Sequence, residues 1–568
     1  NGFPDVAYLL ATLRTYPSWG YMAENGATTI WELWNGDKAD PKMNSGNHVM
    51  LLGDLLTWCY QYLGGIQQQG VNVQQVAEAD ASVAYKHIVL KPAFSIQNCE
   101  SVKADYETPY GVVKSQWKKT LQHVDWDITV PCNTTADVYL PDGKVETVGS
   151  GDYHYSVEIP TRDAAILKDE FLYDYSGFPS AHASTITQLK NGDLVAAYFG
   201  GTFERNPDVC IWVSRKPKGA KAWEKPILAA DGVYRLGTPE AKKAGLSGID
   251  EKTTPADKGP IKDGLRRFGV PAGYKYDFRS KSANIKLPAN LKRKSCWNPV
   301  LYTMPDGEIW LFYKVGSTVG DWTGCLVKSK DGGKTWTDPE ALPDGFLGPI
   351  KNKPEMVNGR LICGSSTENK GWRFHVEILD LKTKKWKYVG PVDAELKPRT
   401  DDVDSATVDM QHPIYKEGEK ARYIYSIQPS ILKLKDGRLQ VLMRTHNAKL
   451  ASSFTSDGGD TLTPVTLLDI ENNQSGTDAV TLKDGRHVLI YNNFETLPGT
   501  KKGPRTPLSL AISDDGTHWR HLLTLEDSPI NQYSYPGIIE GKDGKLHCIY
   551  TWRRQRVAYK EVDLKKIK

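Results

Sequence analysis

The sequence predicts a mainly β chain built around a six-bladed β-propeller at residues 165–568. An N-terminal helical remnant at 1–66 and a small antiparallel β-sandwich at 81–160 precede it, with a polar linker at 67–80. Three observations carry this prediction. An Asn-Gly or Asp-Gly pair joins two apolar strand-like runs six times. A second turn, rich in Asp and Gly and followed by an aromatic, recurs between those hairpins. The 50 Gly and 33 Pro, with 16 Trp, 28 Tyr and 13 Phe, suit many short strands and tight turns.

The first element is helical. Val49, Leu52, Leu55, Leu56, Cys59 and Leu63 recur near the helical period, and Gly64-Gly65 ends the run. The faces so formed are apolar and call for partners. A Gln-rich stretch from Gln67 to Gln75 reads as the linker. From 81 the texture alternates apolar and polar residues, as in HVDWDITVP and YHYSVEIP, which is the period of half-buried strands.

The propeller prediction rests on the repeats. The six hairpin pairs are Asn191-Gly192, Asp306-Gly307, Asn358-Gly359, Asp436-Gly437, Asp484-Gly485 and Asp543-Gly544. Such pairs accept positive φ at both turn positions, which a two-residue hairpin needs. The second turn is SKDGGKTW (329–336), TSDGGDTL (455–462) and SDDGTHW (513–519), with weaker forms at 214–223 and 379–386. Six units of about four strands each describe six blades.

Composition narrows the function. The 72 Lys+Arg nearly balance 68 Asp+Glu, leaving +4, and no basic stripe marks a nucleic-acid protein. No apolar run approaches the roughly 18 residues a membrane helix needs. The eight cysteines are scattered without a CxxC or a Cys/His cluster, so neither a zinc site nor a redox pair is expected. No metal or cofactor is called for. Acidic loops could hold structural Ca²⁺, but no ligand spacing is diagnostic.

In a propeller the inner-strand starts and the second-strand exits converge on one funnel. The former supply His182, Asn298, Lys353, Gln428, Asp478 and Tyr533. The latter supply Glu204, Asp208, Asp321, Glu368, Arg373, Arg444, Asn492, Arg505 and Arg553. Carboxylates, bidentate donors and aromatics on one rim are what a sugar site requires.

SKDGGKTW and SDDGTHW resemble the Asp box, or bacterial neuraminidase repeat, of the sialidase superfamily over about 165–568. That resemblance implies a sialidase-like propeller whose boxes are structural. It implies that Arg444 and Arg505 match two of three arginines that hold a substrate carboxylate. Tyr533, in QYSYP, matches the catalytic tyrosine, and Glu204 or Asp208 the acid–base carboxylate. Two departures stand out. PSAHASTI carries His182 but no first-blade arginine, and Gln428 replaces the glutamate that would take the tyrosine proton, which an amide cannot do. Tyr533 then binds rather than attacks, and the carboxylate pair that hydrolysis needs comes from Glu204 or Asp208 as acid and Asp478 or Glu368 as base or nucleophile. His182, Lys353, Gln428, Arg444, Arg505 and Arg553 are the expected sugar contacts.

YPSWGYMAENGATTIWELWNG and MNSGNHVM resemble the end of the α/α barrel of bacterial α-L-rhamnosidases, and the strand region to about 160 resembles their C-terminal β domain. The resemblance implies that Glu32 corresponds to a general base and that His48, Trp31 and Trp34 correspond to sugar contacts. It puts the general acid before Asn1, so Glu32 is expected to be a remnant without its catalytic partner. The functional expectation is an exo-acting glycoside hydrolase releasing a terminal, acidic sugar from a plant, algal or host glycan, secreted or periplasmic in a bacterium. The alternatives are a carbohydrate-binding propeller without turnover, or a polysaccharide lyase using His182, Lys353 or Tyr533.

Overall fold

The computed structural model describes residues 4–14, 17–36, 40, 42, 45–48, 50–68, 83–96, 99–120, 123–159, 163–173, 178, 180–235, 291–368, 372–392, 395–396, 422–496, 503–528 and 532–567. The chain forms two compact units, 1–167 and 168–568.

In the first unit, helices span Pro4–Thr12, Trp19–Glu24 and Met50–Trp58, the last running into a π-helical turn at Cys59–Leu63. Ser18 caps the second helix, its Oγ accepting from the Tyr21 amide at 2.8 Å. Two four-stranded sheets follow. One orders Ser101–Thr108, Gly111–Lys119, His123–Val130 and Gly151–Glu158, all antiparallel. The other orders Ile66–Gln68, His87–Leu90, Thr135–Tyr139 and Val145–Val148. Its central pair is parallel, which corrects the purely antiparallel reading. Alternation alone cannot report strand direction, because both ladders bury every second residue. Trp117, Trp126, Ile88 and Leu90 lie at the centre of the core. Tyr8, Trp58, Tyr60 and Leu63 pack against it, and the Trp117 indole donates to the Leu63 carbonyl at 2.8 Å. The helical segment therefore has a partner for one of its apolar faces. The predicted linker lies mostly outside the described residues, and its start, Gln67-Gln68, belongs to the first strand of the mixed sheet.

Among the described residues the second unit forms six four-stranded antiparallel blades and two added two-stranded ribbons. The inner strands are Ser180–Gln188, Cys296–Thr303, Glu355–Val357, Ser426–Lys433, Asp478–Thr481 and Tyr533–Glu540. Blade six takes three strands from the end of the chain and its outermost, Ile166–Phe171, from the start of the unit. Lys560–Asp169 at 2.7 Å and Lys168–Glu561 at 2.8 Å clasp this seam.

All six expected hairpins are present, but five use a different turn. In blade one the Gly192 amide donates to the Leu189 carbonyl at 3.0 Å and the Leu189 amide to the Asp193 carbonyl at 2.8 Å. This is a type I turn closed by a glycine at φ 93°, a three-residue loop with a bulge. The Asn191 side chain accepts from the Asp193 amide at 3.0 Å, as Asp306, Asp436, Asp484 and Asp543 do two residues on. Only Asn358-Gly359 has positive φ at both positions, 50° and 75°, and forms the two-residue turn. An Asx turn satisfies the side chain locally, so the Asp need not enter the left-handed region.

The Asp-box turns join third and fourth strands in blades two, four and five. Asp331 gathers the Lys334 and Thr335 amides at 3.0 and 2.9 Å and the Thr335 hydroxyl at 2.5 Å. Partial burial raises its pKa, but these hydrogen bonds to the charged form outweigh it and bring the carboxyl down to about 2.

A polar network stitches the blades at the axis. Asp478, buried on blade five, accepts from Lys353 of blade three at 3.0 Å, Ser430 of blade four at 3.1 Å, and the Ile538 amide of blade six at 2.9 Å. The Lys351 ammonium donates to the carbonyl of Thr477 at 3.0 Å and to that of Pro536. Asn352 donates to the Gln428 carbonyl and the Ser430 hydroxyl, both at 2.9 Å.

Two outcomes follow for stability. Asp478→Ala leaves the Ile538 amide without its acceptor and Lys353 with only the Ala479 carbonyl, and urea unfolding should show a loss of about 3–5 kcal/mol. The folded pKa of Asp331 lies below the unfolded value of about 3.9, so its contribution is complete above about pH 4 and is lost as pH falls toward 2. Asp331→Asn should flatten that part of the acid-unfolding curve measured by circular dichroism.

Candidate active site in the propeller funnel

Four inner strands carry a β-bulge at corresponding positions. The register shifts between His182 and Thr185, Trp297 and Val300, Ile427 and Ser430, and Ser534 and Gly537. Inside each bulge sits a residue of positive φ: Ala183 at 56°, Asn298 at 34°, Gln428 at 54° and Tyr535 at 50°. In three of the four the next residue is a proline, Pro299, Pro429 or Pro536, which cannot join a ladder and so suits a bulge. A non-glycine residue in this region costs on the order of 1–3 kcal/mol, and bulges re-aim side chains.

Two of these side chains meet. The Gln428 amide donates to the Tyr535 hydroxyl at 3.2 Å, and Arg444 Nη1 donates to the same oxygen at 2.9 Å. Arg444 also donates to Gln428 Oε1 at 3.0 Å, closing a triangle. Arg444 lies over the Trp372 ring at 4.5 Å, and Arg505 lies 5.5 Å from the Tyr535 ring centre. Arg505 donates to Gln532 at 2.8 Å. Burial, opposed by Tyr535 and reinforced by Arg444 and Arg554, lowers its guanidinium to about 10, still charged at neutral pH. Gly476 packs beneath: a Cβ there would stand 3.0 Å from Gln428 Oε1 and 3.3 Å from the Tyr535 ring.

His182 stacks on Tyr535 with ring centres 4.1 Å apart. One ring nitrogen meets the Thr551 hydroxyl at 2.8 Å, and Nε2 is buried without a partner. Burial first, then the charges of Arg554, Arg505, Lys351 and Arg444, hold its pKa well below the usual 6.5.

The carboxylates divide. Asp208 is buried, and its Oδ2 accepts from the Thr202 amide at 2.8 Å and hydroxyl at 2.5 Å. Its Oδ1 has no hydrogen-bond partner, and burial raises its pKa despite the Thr202 bonds and Arg293. Glu204 is half-buried and paired with Arg554. Glu368 is half-buried at the exit of its strand. Asp478 was expected as base or nucleophile, and Lys353 as a sugar contact. The structure corrects both: each is the other's partner in the axial network, and every Asp478 oxygen is occupied.

The tyrosine is also corrected. Tyr533 is buried, and its hydroxyl accepts from Arg553 at 3.2 Å. Tyr535, two residues later, joins the triangle. The signal was available in the sequence: Tyr535-Pro536 aligns with Gln428-Pro429 and Asn298-Pro299, whereas Tyr533 has no proline after it. Arg553, over the Trp552 ring at 4.5 Å, belongs with Tyr533.

In the first unit Glu32 is exposed, and its Oε2 accepts from the Ser45 amide at 2.8 Å. The His48 amide donates to the Ile30 carbonyl at 2.7 Å, so both residues lie on one pair of apposed loops. Among the described residues no three His, Cys, Asp or Glu side chains gather as metal ligands. No helix among them is long and apolar enough to cross a membrane.

Comparison with known proteins agrees with this composite architecture. The bacterial alpha-L-rhamnosidase 6 hairpin glycosidase domain matches residues 1–63, its C-terminal domain matches 70–161, and the BNR repeat-like domain matches 281–548. An alpha-L-rhamnosidase of Streptomyces avermitilis is 33% identical over 146 residues, 25% of this chain and 13% of that protein. One from Formosa agariphila is 36% identical over 153 residues, 26% of this chain and 15% of that protein. The chain thus spans about a seventh of the length of these relatives. A mutant of NanB sialidase from Streptococcus pneumoniae superposes with 12% identity and a TM-score of 0.47, covering 83% of this chain and 86% of that one. The chain is thus similar to the two bacterial alpha-L-rhamnosidase domains over its first 161 residues and to the BNR repeat-like domain over 281–548.

The environment of His182 gives a direct test. Its ring protons should not titrate between pH 8 and the ordinary histidine range near 6.5 in NMR spectra assigned with a His182→Gln variant.

Proposed function

We propose that the propeller is an exo-acting glycoside hydrolase whose site is the Tyr535 triangle, and that it releases a terminal acidic sugar. The observation that carries this reading is the pair of guanidinium groups, Arg444 and Arg505, flanking the Tyr535 ring at 5.7 and 5.5 Å. Two such forks facing one side can hold a carboxylate with charge-assisted bonds of about 1.5–3 kcal/mol each. Similarity to alpha-L-rhamnosidases at one end and to a BNR repeat-like domain at the other supports carbohydrate chemistry.

In this mechanism Asp208 is the acid. Burial keeps it protonated to higher pH than an ordinary aspartate, so it can deliver a proton to the leaving oxygen. Tyr535 faces the anomeric carbon. Charge developing on its oxygen meets two preorganised donors, Arg444 and Gln428, in place of help from a carboxylate. His182, held neutral by burial and four neighbouring cations, packs against the Tyr535 ring and takes no proton; the carboxylate that Asp208 leaves behind takes the proton of the water that attacks the anomeric carbon. Glu204, paired with Arg554, tunes the local charge.

A second reading, a sugar-binding propeller without turnover, draws on Gln428. An amide where a carboxylate would accept the tyrosine proton favours recognition over attack.

The test is a glycan panel on the full chain, read by product mass. Hydrolysis adds water, elimination leaves an unsaturated product absorbing in the near ultraviolet, and binding leaves the glycan intact. With an acidic substrate, Arg505→Ala should lower kcat/KM at least tenfold, about 1.4 kcal/mol. Tyr535→Phe should lower kcat more than it changes KM. Equal turnover of a neutral glycoside by wild type and Arg505→Ala would sink the carboxylate role. Simple sialosides should be poor substrates, because the first-blade arginine and the glutamate at the Gln428 position are both missing.

A further inference from the structure

Blade two and blade three enclose a cleft of about 270 Å³ on the funnel side, outside the Tyr535 triangle. Its walls include Trp322 from the loop after the second strand of blade two, Thr323 at the start of that blade's third strand, Phe346 and Leu347 from the connection to blade three, and Ser366 and Thr367 from the second-strand exit of blade three. We infer that this cleft binds a neutral pyranose, the sugar next to the acidic residue held at Tyr535. The inference rests on the carbohydrate reading of the funnel and adds a second subsite to it.

Four observations converge. The volume falls just below the roughly 300–1,000 Å³ of pockets for drug-sized ligands, which suits one ring rather than a chain. The lining mixes aromatic faces with hydroxyls: Trp322 and Phe346 offer flat apolar surface to the C–H face of a sugar, and Thr323 and Thr367 offer hydrogen bonds to its edge, with Ser366 buried behind them. The cleft carries no lining Lys or Arg, and its one ionisable wall residue is Asp344, so it disfavours an anionic ring, unlike the cationic triangle. The two places are also physically joined. The Ser366 hydroxyl accepts from the Gln428 backbone N–H at 3.4 Å. Rings connect them as well: Tyr535 to His182 at 4.1 Å, His182 to Phe199 at 5.5 Å, Phe199 to Trp297 at 6.3 Å, and Trp297 to Trp322 at 5.5 Å.

The Trp322 loop is fixed before any ligand arrives. Asp321 accepts from the Ser317 and Thr318 amides at 3.1 and 2.7 Å and from Lys294 at 2.9 Å. The Trp297 indole is anchored on the Gly316 carbonyl at 2.8 Å, whereas the Trp322 indole nitrogen has no partner. A wall set in advance loses little entropy on binding, which is what a subsite for a weakly held neutral ring needs.

The experiment titrates the full chain with neutral trisaccharides, namely cellotriose, mannotriose and galactotriose, and follows tryptophan fluorescence and isothermal calorimetry. At least one should bind saturably. Trp322→Ala should weaken that binding at least tenfold, Trp322→Phe should retain most of it, and Arg444→Ala should leave it unchanged. Thermal unfolding of each variant verifies the fold. Absence of binding by all three sugars, or binding indifferent to Trp322→Ala, overturns the inference. Loss in Arg444→Ala equal to that in Trp322→Ala also overturns it, because the sugar then sits at the triangle. If the cleft binds while no glycan is turned over, the hydrolase reading fails and the subsite stands.

Discussion

The carboxylate of Asp478 fixes the centre of the propeller. A ring of blades has no continuous core at its axis, where inner strands face one another across a narrowing space. Here the gap is filled by charge and hydrogen bonds rather than by apolar packing. Asp478 ties blade five to blades three, four and six, and Lys351 and Asn352 extend the same stitching to the carbonyls of Thr477, Pro536 and Gln428. Burying such groups is costly unless every partner is supplied. The return is geometric: blades linked at the axis cannot slide, and the funnel wall above them keeps its spacing.

That rigidity makes the strained positions tolerable. Gln428 and Tyr535 sit at positive φ within bulges, conformations that persist only where the surroundings over-determine them. The axial network does so from below, because Asn352 holds the Gln428 carbonyl and Lys351 the Pro536 carbonyl. The site chemistry and the axial stitching therefore share a backbone. Ala183 occupies the corresponding bulge of blade one with no functional side chain, so the same backbone device presents a gap there. His182, one residue earlier, covers Tyr535 from that side.

Much of this was legible in the sequence, and the misses share a cause. The blades were countable because each hairpin needs a glycine at a fixed place, a local requirement that leaves a local mark. The turn type was misread in five blades because an Asn or Asp before glycine serves two turns equally, and only the neighbouring amide decides which. Asp478 and Lys353 looked like site residues because a polar side chain at an inner-strand start can face the funnel or the axis. Partner choice across three blades separates the two, and no sequence interval encodes it. Tyr533 and Tyr535 are not told apart by alternation, which puts both on the same face. The bulge breaks that alternation, and the proline that announces it was in plain view. The parallel strand pair of the sandwich was hidden for a similar reason, since direction depends on pairing partners far apart in the chain.

The sixth blade takes its outer strand from the other end of the domain, with Lys168 meeting Glu561 across 393 positions. During synthesis that strand emerges first and waits for its neighbour until almost the whole chain has left the ribosome. Blades one to five can assemble in sequence as they appear. The ring itself can close only at the end, when the loop-closure entropy of the entire domain is met in one step. Until then Ile166–Phe171 is an unpaired strand, and the outer edge of the last blade has nothing to lock against. A nascent chain stalled before Arg556–Val562 would hold five blades and an open seam, the state in which edge-to-edge association between molecules is easiest.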